Sequence, residues 1–159
     1  MKNLNNVVCV QKAVLDTNKS IAFTDFGENF SAQNTFLDAT TLDEVNKSSE
    51  KKRVVVDAIG IDAYCQEKQA HPNFIKIDTE GTEWSVVKGM TNTLKVDTPI
   101  LAIEFWGRTD WSAENDALIE YLGNCGYAPY VPDSEGDLQK YSGSKEFDYE
   151  NLIFIKENE

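Results

Sequence analysis

The stretch that decides the fold runs from residue 73 to residue 94, NFIKIDTEGTEWSVVKGMTNTL. An apolar strand, residues 74–78 (FIKID), ends in acids, with Asp78 followed closely by Glu80 and Glu83. Gly81 permits a tight turn. The chain then enters a helix in which Trp84, Val87, Met90 and Leu94 recur at close to helical spacing. Open α/β sheets bind ligands beyond the carboxyl ends of their strands, so Asp78 must face a crevice or be paired. Glu80 and Glu83 fall at or near a helix N-terminus, where the macrodipole stabilises negative charge. Glu83 reads as a helix-terminus acid rather than a catalyst.

Working outward, residues 54–59 (VVVDAI) are β-branched and read as a strand, and residues 62–69 as a short helix ended before Pro72. Residues 6–15 (NVVCVQKAVL) read as a buried strand stopped by the Asp16-Thr17-Asn18 turn. Residues 20–24 (SIAFT) alternate like a hairpin partner. Order is weakest over residues 25–53, where the capping box Thr41-x-x-Glu44 marks one short helix before a charged run. Downstream, residues 99–105 (PILAIEF) form an apolar strand of the kind buried on both faces of a parallel sheet. Ser112 can cap a helix with the inner stripe Leu118, Tyr121, Leu122 and Cys125, with Gly126 suited to its C′ position. Residues 127–131 and 152–156 make two last strands, with loop over 132–144. The expected fold is α/β, one domain over residues 1–159, with a mostly parallel sheet ending in an antiparallel hairpin.

A chain of 159 residues that is 41% apolar can bury a real core as one domain. A net charge of −12 repels phosphates, which argues against nucleic acid and anionic membranes as partners. No apolar run approaches the ~18–20 residues of a membrane span, and the N-terminus carries no signal-peptide pattern. Cys9, Cys65 and Cys125 form no CxxC pair, so neither a zinc site nor a redox dithiol is expected. They read as buried free thiols of a reducing, cytoplasmic setting. His71 is the single histidine, beside Pro72 in a loop, and reads as a surface residue. No metal is expected. Asp25-Phe26-Gly27 matches the kinase magnesium tripeptide without any of its companions and is a chance match.

The central segment resembles the FkbM methyltransferase pattern of Lys-Ile-Asp, any residue, Glu-Gly, any residue, Glu, then an apolar pair and Lys-Gly. It is carried here by Lys76, Ile77, Asp78, Glu80, Gly81, Glu83, Val86, Val87, Lys88 and Gly89. Ile61-Asp62 with Tyr64, the strand ending in Glu104, the turn after Ala13 and the Asn151–Phe154 run are similar to further parts of that family. The resemblance implies a Rossmann-like class I methyltransferase core and transfer of a methyl group from S-adenosylmethionine to a hydroxyl of a sugar or other small metabolite. It implies catalytic roles for Asp78 and Glu80, and donor contacts from Ala13, Val14 and Asp78. Glu104 and Trp106, at the end of the following strand, would face the acceptor, and Trp111 could join them.

What the family uses to cradle the donor, a strand ending in Asp-x-Gly-x-x-x-Gly and a second strand ending in a ribose-holding acid, has no counterpart here. By the resemblance, two strand–helix units, on the order of 60 residues, precede the segment that matches. The alternative to an enzyme is therefore a non-catalytic or split-gene half needing a partner chain to bind the methyl donor. Loss of two central strands would leave open sheet edges. Either residues 6–15 pair directly with residues 74–78, the favoured expectation, or a second chain covers the exposed edge.

Overall fold

The computed structural model describes residues 5–25, 52–107, 111–147 and 149–157. In chain order its strands are β1 (Ala13–Val14), β2 (Ser20–Asp25), β3 (Lys52–Ile59), β4 (Phe74–Ile77), β5 (Ile100–Trp106), β6 (Tyr127–Pro132), β7 (Leu138–Lys140) and β8 (Tyr149–Lys156). Its helices are α1 (Ile61–Lys68), α2 (Glu83–Lys88), α3 (Thr91–Val96) and α4 (Ala113–Asn124). The capping box at Thr41 and the Asp25-Phe26-Gly27 tripeptide beyond its first residue lie outside the described residues.

The strands form two sheets, one ordered β1-β3-β2 and one ordered β4-β5-β8-β6-β7. The expected mostly parallel sheet is corrected. Among the described residues only β1 with β3 and β4 with β5 run parallel, whereas β2 with β3, β5 with β8, β6 with β8 and β6 with β7 are antiparallel. A parallel neighbour needs a long crossover. In the larger sheet that crossover is α2 and α3, between β4 and β5. After α4, β6 is set down one place away from β5, and β8 returns antiparallel into the space between them. The closing hairpin-like pairing of β6 and β8 matches expectation. Its connection, expected to be loop, contains β7, joined to β6 by a turn in which the Asp133 carboxylate accepts from the amides of Glu135 and Asp137 at 3.0 and 2.9 Å.

One face of the large sheet carries the core. Ile77, Leu101, Ile103, Phe105, Leu152 and Phe154 pack against Val86, Val87, Met90, Leu94, Leu118 and Leu122 from the helices. Strand alternation sends Phe74, Ile100 and Trp106 to the other face, where they are 58%, 41% and 43% exposed. Among the described residues the helices pack on the first face, so β5 is buried along that face and on the other only at Ala102, short of the double burial its apolar run suggested. The cysteines are corrected too, with Cys9 exposed and Cys65 and Cys125 half-buried. His71 is exposed as expected, its Nδ1 2.6 Å from Asp97 Oδ1.

Residues 6–15 differ most from expectation. Only Ala13 and Val14 are strand, paired with Ala58 and Ile59 of β3 and not with β4. Val8 is 81% exposed, and among the described residues β4 is an edge of its sheet. The expected direct pairing does not occur because the chain just after β1 is held elsewhere, by α2. Ser85 Oγ donates to Asp16 Oδ1 at 2.8 Å, and Lys88 Nζ lies 2.8 Å from Asp16 Oδ2. Lys88 and Ser85 together hold the Asp16 carboxyl below its ordinary range. Likewise β2 pairs along its length with β3, so it is no hairpin partner of β1.

The helix expected from Trp84 to Leu94 is two helices separated at Gly89 and Met90. Asp62 of α1 accounts for the second start. Its carboxylate accepts from the amides of Asn92 and Thr93, each at 2.8 Å, and from Thr93 Oγ1 at 2.7 Å. These are orphan donors of the first turn of α3, capped by a residue thirty positions upstream in sequence.

Candidate functional site

β4 and β5 lie parallel with Lys76 beside Ala102 and Ile77 beside Ile103. Their carboxyl ends therefore bring Asp78 and Glu104 side by side. The chain then reverses over residues 78–82 with two successive left-handed residues, Glu80 at φ 53° and Gly81 at φ 99°. This reversal returns Glu80 toward the strand ends. Asp78, Glu80 and Glu104 each place a carboxylate oxygen within 4.8 Å of the others.

Three carboxylates this close interact strongly. Burial pushes the Glu104 carboxyl above its ordinary value, and the negative charge of Asp78, a hydrogen bond with Asp78 and the charge of Glu80 push it further, against an opposing pull from Lys76. Lys76 Nζ lies 3.1 Å from Asp78 Oδ2, as residues two apart on one strand face should. Asp78 is thus both exposed and paired. A carboxyl with a raised pKa holds a proton more tightly than a free one, so Glu104 can share a proton with a neighbouring oxygen of the cluster. Oxygen ligands in this number also have the chemistry to hold a hard divalent cation.

Two further groups border the cluster. Asn151 stands directly opposite Glu104 in the β5–β8 register, which puts the two side chains on one face. Its Oδ1 is buried without a hydrogen-bond partner among the described residues. Glu83 turns back from the first position of α2, and its carboxylate accepts from Thr79 N at 2.9 Å, Thr79 Oγ1 at 3.0 Å and Gly81 N at 3.1 Å. Lys76 was visible in the motif. The position of Asn151 depends on strand register, and the role of Glu83 depends on the turn it holds.

Of the residues expected at the site, Asp78, Glu80 and Glu104 converge, and Trp106 shares the face of Glu104 two positions along β5. Ala13 and Val14 lie in the other sheet. The chain just after them meets α2 through Asp16, which bonds both Ser85 and Lys88, while the Asp78 turn feeds the N-terminus of the same helix. A groove of about 360 Å³ beside β1 is lined by Lys12, Asn18, Asp57, Ala58, Ala63 and Glu67. Trp111 belongs to another region. It stacks on Phe105 at 5.6 Å and donates Nε1–H to Asp116 at 2.9 Å, and it lines a groove of about 460 Å³ with Tyr141 and Lys145.

The pH dependence of stability follows from Glu104. A carboxyl raised in the folded state binds its proton more tightly there than in the unfolded chain. Its contribution is full below the unfolded value and is lost as pH rises through the raised folded one. At neutral pH ionised Glu104 is therefore a net cost, and Glu104→Gln should raise Tm. Solvent screening limits the gain to under about 1 kcal/mol, or about 2–3 °C. Melting curves at pH 7 and pH 4 check this, since the gain should vanish at the lower pH. An equal gain at both would assign it to something other than ionisation.

Among the described residues no helix is long and apolar enough to cross a membrane. No curated protein and no solved structure matches the chain. The family model of the methyltransferase FkbM domain matches residues 4–129, a span that contains β1 to β5 and the whole Asp78–Glu80–Glu104 cluster. With most of its length matched, the chain belongs to the FkbM methyltransferase family.

Proposed function

We propose that this chain is the acceptor-side half of an S-adenosylmethionine-dependent O-methyltransferase, acting on a hydroxyl of a sugar or other small metabolite in a cytoplasmic setting. The observation that carries this reading is the convergence of Asp78, Glu80 and Glu104 at the carboxyl ends of adjacent parallel strands. Asp78 and Glu80 border the hydroxyl and take its proton. Glu104 and the exposed ring of Trp106 line the acceptor side of the same sheet face.

The described residues do not fit the methyl donor by themselves. A donor cradle needs a cluster of glycines whose backbone faces open space, as in dinucleotide-binding turns. Gly60, which follows β3, faces protein backbone, a Cβ there lying 3.2 Å from the Gly89 oxygen, and Gly81, which follows β4 and faces open space, has no second glycine in its turn. Ala13 and Val14, expected to contact the donor, are on a separate sheet from the carboxylates. Among the described residues nothing pairs with the outer edge of β4 or covers Phe74 and Ile100, which supports a second chain or segment that completes the sheet and brings the donor.

The expected result for the chain alone is no measurable binding of S-adenosylmethionine by calorimetry at micromolar concentrations. A micromolar dissociation constant would sink the half-enzyme reading. Methyl transfer from labelled donor to a panel of sugar hydroxyls, measured with the chain joined to a donor-binding half from an FkbM enzyme, tests the activity itself.

A further inference from the structure

We propose that Glu83 is a positioning residue for the carboxylate site, holding the 78–82 turn in the shape that presents Asp78 and Glu80 to Glu104. The proposal deepens the functional reading above, because it matters only if those three carboxylates are the reacting centre. The geometry is local and specific. Glu83 sits in the first turn of α2, but its carboxylate turns backward and accepts from Thr79 N, Thr79 Oγ1 and Gly81 N. Thr82, the residue at the helix cap, makes no side-chain cap bond. Its hydroxyl instead donates to the Thr79 carbonyl at 3.3 Å. Both ends of the turn are therefore tied to Thr79.

The turn needs such ties. Glu80 is not glycine, yet it adopts φ 53°, a conformation that costs an L-residue free energy and persists only where the surroundings hold it. Gly81 at φ 99° has nothing within 4 Å of where a Cβ would stand, so packing does not enforce the reversal there. The hydrogen bonds to the Glu83 carboxylate are the strongest of the restraints described for this turn, beside the Thr82 bond to Thr79. Charge-assisted bonds of this kind are roughly twice as strong as neutral ones. Without them the turn is free to relax, and Asp78 and Glu80 move off Glu104.

The titration of Glu104 reads that distance directly and needs no activity, donor or acceptor. In carbon-labelled protein, the Glu104 carboxyl midpoint is followed by NMR in the wild type, Asp78→Asn, Glu83→Gln and the double variant, with Tm recorded for each. Asp78→Asn sets the scale by removing one neighbouring charge. Glu83→Gln should lower the Glu104 midpoint by about half of that shift or more, and the double variant should fall short of the sum. A merely structural Glu83 would change Tm and leave the Glu104 midpoint where it was, or add fully to Asp78→Asn, and either result overturns the proposal. Gly81→Ala, which strains the same turn without touching Glu83, should also lower the midpoint. It supplies the test if Glu83→Gln does not fold, and an unmoved midpoint there counts equally against the idea. If the Glu104 shifts appear but no methyl transfer is ever found, the positioning role stands and the functional reading fails.

Discussion

Gly89→Ala is expected to lower Tm by about 3–10 °C, the range given by an overpacking cost of about 1–3 kcal/mol in a chain of this size. The backbone of Gly89 is ordinary, at φ −77°, so conformational freedom is not what the position demands. Space is. A Cβ there would stand 2.5 Å from the Leu15 carbonyl oxygen and 3.3 Å from Asp16 Cα, both backbone atoms without a flexible side chain to give way. Three segments meet at this joint. Leu15 N donates to Ile59 O at 3.2 Å, Asp62 N donates to Gly89 O at 3.0 Å, and Gly60 N donates to Asn18 Oδ1 at 2.9 Å. The small sheet is thereby fastened to α1 and to the end of α2. Calorimetric melting checks the size of the effect, and amide exchange should show β1 and β3 opening before β5 and β8. A change below about 1 °C would mean that the approach is looser than these distances state.

The same joint shows what a sequence can and cannot carry. The Lys-Gly pair was readable as part of a family pattern, but the reason for its glycine lies in the Leu15 carbonyl, seventy-four positions upstream. The periodicity of Trp84, Val87, Met90 and Leu94 was real, and Val87, Met90 and Leu94 are all buried. It hid a break at Gly89, because α2 and α3 continue the same apolar face. The cap that starts α3 comes from Asp62, a contact no local signal encodes.

Strand existence was legible wherever an apolar run had a partner. β3, β4, β5, β6 and β8 fall where alternation and β-branched residues place them. The Val7–Val8–Val10 run had the same composition, yet those residues are exposed. Strand preference expresses fit to a pleated surface with neighbours, and without the neighbours it does not produce a strand. Sheet direction was misread for a related reason. An apolar run such as PILAIEF is compatible with burial on either one or both faces, and strand register, which decides the case, is set by long-range pairing. At the site, strand-end reasoning found Asp78 and Glu104 from their own positions. Asn151 came opposite Glu104 only through the β5–β8 register.

Asp78→Asn is expected to cost about 10²–10⁴-fold in methyl transfer once the chain is joined to a donor-binding half, the usual worth of a positioned general base. Asp78 is chosen over its neighbours by where it stands. It ends β4 on the face of Glu104, its partner Lys76 is exposed and two residues away, and the carboxylate remains open to an incoming hydroxyl. Glu83 spends its carboxylate on Thr79 and Gly81, so it cannot receive a substrate proton without releasing the turn. Glu83→Gln should therefore lose at least about tenfold less than Asp78→Asn, the loss of orientation being smaller than the loss of the base. Equal losses would place the chemistry elsewhere. The pH profile separates the roles further. Asp78 is the largest charged contributor to the raised Glu104 carboxyl, so its neutralisation lowers the Glu104 value. Any residual activity that depends on ionised Glu104 should then extend to lower pH than in the wild type. An acidic limb that stays in place would show that ionisation of Glu104 does not limit the reaction.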